Sequence, residues 1–93
     1  MMHLEIVSPE ATLFSGEVES VIVPGTTGSF QMLNNHAPIV STLKEGTVMI
    51  SGKMDLDPTV KDKFKMQDAN TTLFDINSGT VEMRNNKLIL LAD

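Results

Sequence analysis

Ninety-three residues make one small domain with room for a single hydrophobic core, folding hiding roughly 60 to 65 % of the unfolded chain's surface. The composition, 41 % hydrophobic and 20 % charged, is that of an ordinary globular protein, and the lack of cysteine removes disulfides, thiolate chemistry and sulfur-ligated metals. The net charge of −5 is unevenly spread: residues 1 to 43 hold Glu5, Glu10, Glu17 and Glu19 and no Lys or Arg, which argues against nucleic acid and against an anionic membrane surface as partners.

Leu4 and Ile6 alternate with polar neighbours, and Val7 runs into Ser8-Pro9, where proline's missing amide hydrogen ends a ladder. That predicts a first short strand. Leu13-Phe14 precedes Ser15-Gly16, which reads as a turn pair. Val18, Val21, Ile22 and Val23 then form a β-branched run stopped by Pro24-Gly25. Phe30 to Leu33 and Ile39 to Leu43 are further strands, separated by Asn34-Asn35, residues that tolerate left-handed backbone angles. After Lys44-Glu45-Gly46 comes the strand Thr47 to Ile50. The C-terminal third continues in short strands and tight turns, with Thr72 to Ile76, a Ser78-Gly79 turn, Thr80 to Met83, an Asn85-Asn86 turn and Leu88 to Leu91. Turns at such short spacing predict an all-β sandwich or barrel.

One stretch departs from this pattern. Asp57-Pro58 has the form of a helix cap with proline at the first helical position, and Val60 and Phe64 stand four apart, which predicts a short helix or irregular excursion from about Pro58 to Met66. Lys61, Lys63 and Lys65 make it the only basic patch, expected to be a solvated loop face.

Sites of chemistry are not found. Asp55 and Asp57 open a D-x-D, but Val60 and Met66 occupy the glycine and bidentate-glutamate places of a calcium loop. Gly25-Thr26-Thr27-Gly28 lacks the Lys-Ser/Thr and the helix that a phosphate cradle needs. His3 and His36 have no partner at ligand spacing, and neither builds a nucleophile-base pair with Ser29 or Ser41. Neither a catalytic residue nor a bound cofactor is expected. No apolar run approaches the about 18 residues of a membrane span, and Met1 to Glu10 has no signal-peptide pattern, which points to the cytoplasm.

The order Phe14-Ser15-Gly16-Glu17-Val18, Val23-Pro24-Gly25, Gly28-Ser29-Phe30, His36-Ala37-Pro38-Ile39, Leu43-Lys44-Glu45-Gly46, Ser78-Gly79-Thr80-Val81-Glu82 and Leu90-Leu91-Ala92-Asp93 resembles the N-terminal β-sandwich domain of the epsilon subunit of F-type ATP synthase, called delta in mitochondria. The resemblance implies a flattened two-sheet sandwich of about ten short strands over residues 1–93. It also implies a non-catalytic rotor subunit of the central stalk, binding the gamma subunit and the c-ring and coupling proton translocation to ATP synthesis. By position, Thr26, Thr27, Gly28, Ser29 and Phe30 resemble the edge that meets the c-ring, and His36, Ala37, Pro38 and Ser41 a gamma-facing contact. The membrane would be reached only through other subunits, at the cytoplasmic face of the bacterial cell membrane.

Three departures from the family pattern stand out. Ser29, Gln31 and Asn34-Asn35 replace the usual Glu, Gly and Pro-Gly; the 52–70 region is longer than usual; and the resemblance ends at Asp93, without the two-helix C-terminal hairpin of many members, so hairpin-based self-inhibition is expected to be absent. The alternative is a generic β-sandwich module using its Pro24 to His36 loops to bind a protein or a small ligand.

Overall fold

The alternation at the start of the chain becomes β1, Met2–Val7, with Met2, Leu4 and Ile6 fully buried and His3, Glu5 and Val7 on the opposite face. The computed structural model describes all of residues 1–93. Nine more strands follow: β2 (Thr12–Val18), β3 (Ser20–Gly25), β4 (Gly28–Leu33), β5 (Ile39–Leu43), β6 (Gly46–Ser51), β7 (Phe64–Asp68), β8 (Thr71–Ile76), β9 (Gly79–Arg84) and β10 (Lys87–Ala92). The expected all-β fold of about ten strands is what forms.

Pairing runs β2-β1-β10-β9-β5-β3-β6-β8-β7, with β4 also paired to β3. β1 and β10 run parallel, and the other pairs are antiparallel. The link between β5 and β3 is a single residue pair, Gly25 with Leu43. The curled sheet therefore divides into two five-stranded layers, β2-β1-β10-β9-β5 and β4-β3-β6-β8-β7, joined at that corner. Between them lie 19 buried hydrophobic residues drawn from both layers, among them Leu4 and Leu90 from one and Val23 and Ile50 from the other. Burying each such side chain contributes about 1.5–3 kcal/mol, and because both inner faces converge on one cluster the layers brace each other.

Three local expectations are corrected. Ser15-Gly16 is not a turn but lies inside β2. A Cβ on Gly16 would stand 2.8 Å from the Phe14 ring, so glycine here makes room for an aromatic folded over its own strand. A bulge against Ile6 and Val7 lets Leu13 and Phe14 both turn inward. The β-branched run from Val18 to Val23 is not one strand either: Val18 ends β2 in the first layer and β3 begins at Ser20 in the second, the chain changing layer at Glu19. Pro24 and Gly25, expected to stop that strand, are its last two residues.

The third correction concerns the expected helix from Pro58 to Met66. The segment instead makes a turn, a single 3-10 turn over Lys61–Lys63, and then β7 at the sheet edge. Asp57 does cap, but it caps a turn: its Oδ1 accepts the Thr59 N–H at 2.9 Å and the Thr59 hydroxyl at 2.7 Å. What overrides the helix is Phe64, which stacks on Phe74 of β8 with centroids 4.9 Å apart and the rings 25° from parallel. A helix would gain one weak pair between Val60 and Phe64. The strand gains an aromatic stack and the ladder to β8.

Candidate docking surfaces

Thr26, Thr27, Gly28, Ser29 and Phe30 form one unit, the tip of the β3–β4 hairpin and the start of β4. Gly25 pairs with Gly28 across the loop, and Gly28 carries a φ of 137°, while Thr26 and Thr27 keep negative values. A Cβ on Gly25 would lie 2.7 Å from the Gly28 carbonyl oxygen and 2.9 Å from the Phe30 ring, so the tip can be this tight only with glycine there. The corner where the layers meet ties the tip down: Thr26 N–H donates to the Thr42 carbonyl at 3.2 Å, the two threonine hydroxyls lie 3.2 Å apart, and Lys44 N–H donates to the Pro24 carbonyl at 2.9 Å. Thr26 to Ser29 are exposed and Phe30 is half-buried against the core. The unit is an uncharged, hydroxyl-rich edge on a stiff support.

His36, Ala37 and Pro38 lie in the crossing from β4 to β5, at the other end of β4. The six residues of β4 span about 17 Å, so the hairpin tip at Thr26 and Thr27 and the His36 segment stand at opposite ends of that strand and are not brought together. The imidazole is a turn histidine: its Nδ1–H donates to the Ala37 carbonyl at 2.7 Å and its amide to the Leu33 carbonyl at 3.1 Å. Asn35 just before it has a φ of 62°, the left-handed angle expected of that pair. Ser41 stands apart, on β5 opposite Val81 of β9. Alternation along β5 puts Ile39, Ser41 and Leu43 toward the interior and Val40 and Thr42 outward. Ser41 is thus half-buried, whereas Val40, not singled out from the sequence, is 75 % exposed beside Glu82. Ile39 and Val40 are both apolar, which is why alternation alone did not say which one faces out.

The outer face of the first layer is polar where β1, β2 and β10 meet: His3 Nδ1 lies 2.9 Å from Glu17, and Lys87 Nζ 3.2 Å from Glu5. No three His, Cys, Asp or Glu side chains converge at metal-binding distance. Among carboxylates, Asp57 is held below its ordinary 3.8, first by the Thr59 backbone amide and then by the Thr59 hydroxyl. Residues from Pro24 to His36 line none of the four surface clefts. No helix is long and apolar enough to cross a membrane.

Comparison with known proteins converges on one family. Residues 1–93 match the family described as ATP synthase, Delta/Epsilon chain, beta-sandwich domain. The ATP synthase epsilon chain of Caulobacter vibrioides is 41 % identical over 92 residues, 99 % of this chain and 90 % of the relative. That of Chlorobaculum tepidum is 39 % identical over 90 residues, 97 % of this chain and 86 % of the relative. The Campylobacter curvus epsilon chain is 37 % identical across 99 % of this chain, which spans 60 % of that longer protein. Two solved structures share the fold at 12 % identity. One is a chain of the Tetrahymena thermophila mitochondrial ATP synthase central stalk and c-ring, with a TM-score of 0.68 over 98 % of this chain and 62 % of that one. The other is a chain of the Euglena gracilis mitochondrial ATP synthase, with a TM-score of 0.72 over 96 % and 48 %. The chain belongs to the ATP synthase delta/epsilon family, and its residues 1–93 are that family's β-sandwich domain.

Proposed function

We propose that this chain is the non-catalytic rotor subunit of a bacterial F-type ATP synthase, a rigid body seated between the gamma subunit and the c-ring. The observation that carries the reading is the placement of two exposed, uncharged surfaces at opposite ends of β4 on a braced two-layer sandwich. Torque transmission needs a part that contacts two neighbours at once and does not bend between them. Here the Thr26 to Phe30 tip, pinned to β5, meets the polar loops of the c-ring through hydroxyls and shape. His36, Ala37 and Pro38 face gamma, with Val40 as the apolar contact on β5 that the inward-leaning Ser41 cannot supply alone. The subunit works at the cytoplasmic face of the membrane and reaches the bilayer only through its partners.

A small-ligand module built on the Pro24 to His36 loops is disfavoured because no residue there lines any of the four surface clefts. The test is co-expression with the gamma subunit of the same genome, followed by size-exclusion chromatography and a dissociation constant. Saturable one-to-one binding supports the rotor role, and a folded chain that fails to bind gamma at tens of micromolar overturns it. For the second surface, Ser29→Lys is expected to leave the fold intact and weaken association with the c-ring; unchanged assembly would remove the c-ring placement alone.

A further inference from the structure

Residues 34–38 lie outside any strand, and their only hydrogen bonds to a distant part of the chain go to one side chain. Asn86, in the β9–β10 turn, accepts the Asn35 N–H on its Oδ1 at 2.8 Å, while its Nδ2 donates to the Asn34 Oδ1 at 2.8 Å and to the Met1 carbonyl at 3.0 Å. Its own carbonyl takes the His3 N–H at 3.1 Å. Inside the segment, the remaining bonds are local, from the His36 amide to Leu33 and from the His36 ring to Ala37. Asn86 is itself held in place, with a φ of 61° in a two-residue turn whose flanking residues, Arg84 and Lys87, are paired. One half-buried amide therefore links three places far apart in sequence: the start of β1, the β9–β10 turn and the β4–β5 crossing.

We propose that Asn86 is a positioning residue: its carboxamide fixes the conformation in which His36, Ala37 and Pro38 are presented. The role in binding rests on the gamma-facing reading of that segment, but the ordering itself does not. Without the clamp, five consecutive residues between β4 and β5 would be held only by local bonds and by the flanking strands, and a partner would have to order them on binding. With it, that entropy is lost once, during folding.

The test separates the turn from the clamp. Asn86→Gly keeps the left-handed backbone and removes the carboxamide, whereas Asn86→Asp keeps the acceptor for Asn35 and removes the donors. Backbone order parameters at Asn35, His36 and Ala37 are expected to fall from about 0.85 to below about 0.6 in Asn86→Gly, with β9 and β10 unchanged, and to recover at Asn35 in Asn86→Asp. Unchanged values in Asn86→Gly, with the melting transition intact, would overturn the proposal. The Kd for gamma is expected to rise about tenfold in Asn86→Gly, in proportion to the fraction of molecules left in the binding shape. If the segment loosens and His36→Ala weakens gamma binding while Asn86→Gly does not, the positioning role in binding is overturned. If His36→Ala and Pro38→Ala also leave the Kd unchanged, the gamma placement fails, and the order parameters still decide whether Asn86 is the clamp.

Discussion

Phe64→Ala is the sharpest perturbation of this fold, because it asks why the chain from Asp57 to Asp68 ends as an edge strand. Phe64 is half-buried, packs against the core and stacks on Phe74, itself 5 % exposed, at a centroid distance of 4.9 Å. Truncating a fully buried phenylalanine costs about 3–5 kcal/mol, so a half-buried one costs about 2. The stacked pair adds about 0.5–1.5 kcal/mol, giving about 2.5–3.5 kcal/mol in all. For a domain of this size that is a fall in melting temperature of about 10–28 °C. Met66 shares the strand and is 56 % exposed, so Met66→Ala should change stability by less than about 0.5 kcal/mol. Urea and thermal unfolding of both variants, with a double-mutant cycle pairing Phe64→Ala with Phe74→Leu, would isolate a coupling of about 1 kcal/mol. Amide exchange along β7 should rise in step. If Phe64→Ala were no more destabilising than Met66→Ala, the stack would not be what holds β7 against β8, and the account of why the helix is overridden would fail.

Gly25→Ala should destabilise by about 1–3 kcal/mol in urea unfolding, because the new methyl meets a backbone oxygen at 2.7 Å and an aromatic ring at 2.9 Å, neither of which can move freely. Asn85→Ala should cost about 1 kcal/mol for its φ of 51°, and Asn85→Gly should be neutral or better. Because the Asp57 carboxyl is held below 3.8 in the folded state, it contributes stability above the unfolded value that is lost as pH falls through the folded one. An NMR titration should therefore place its midpoint below 3.8, and Asp57→Asn should lower stability slightly at neutral pH, leave it unchanged below the folded midpoint, and so remove that part of the acid sensitivity. Val40→Lys, which sets a positive charge opposite Glu82, should leave the melting temperature within about 5 °C of wild type while raising the Kd for gamma, which chromatography of the mixed subunits would read directly.

Most of the strand framework was determined by the sequence itself. Period-two alternation at Leu4 and Ile6, the β-branched residues of β3, and the Asn34-Asn35 and Asn85-Asn86 pairs carry information that acts within a few residues, through pleat geometry and left-handed backbone angles. The motif order likewise pointed to the family that residues 1–93 match. The helix cap written in Asp57-Pro58 is outweighed by a contact that no local pattern carries, the stack of Phe64 on Phe74 of β8. Tertiary structure alone decided the rest, because it depends on what each residue meets across the fold. The two-layer arrangement turns on one cross-layer pair, Gly25 with Leu43. Gly16 sits mid-strand because of where the Phe14 ring lies. On β5 the outward residue is Val40 because Leu43 must enter the core two strands from Leu90, and a side-chain period of two then fixes every residue before it. Asn86, 51 residues from Asn35, clamps the crossing before β5 only because folding closes that separation; no local pattern encodes a hydrogen bond across it.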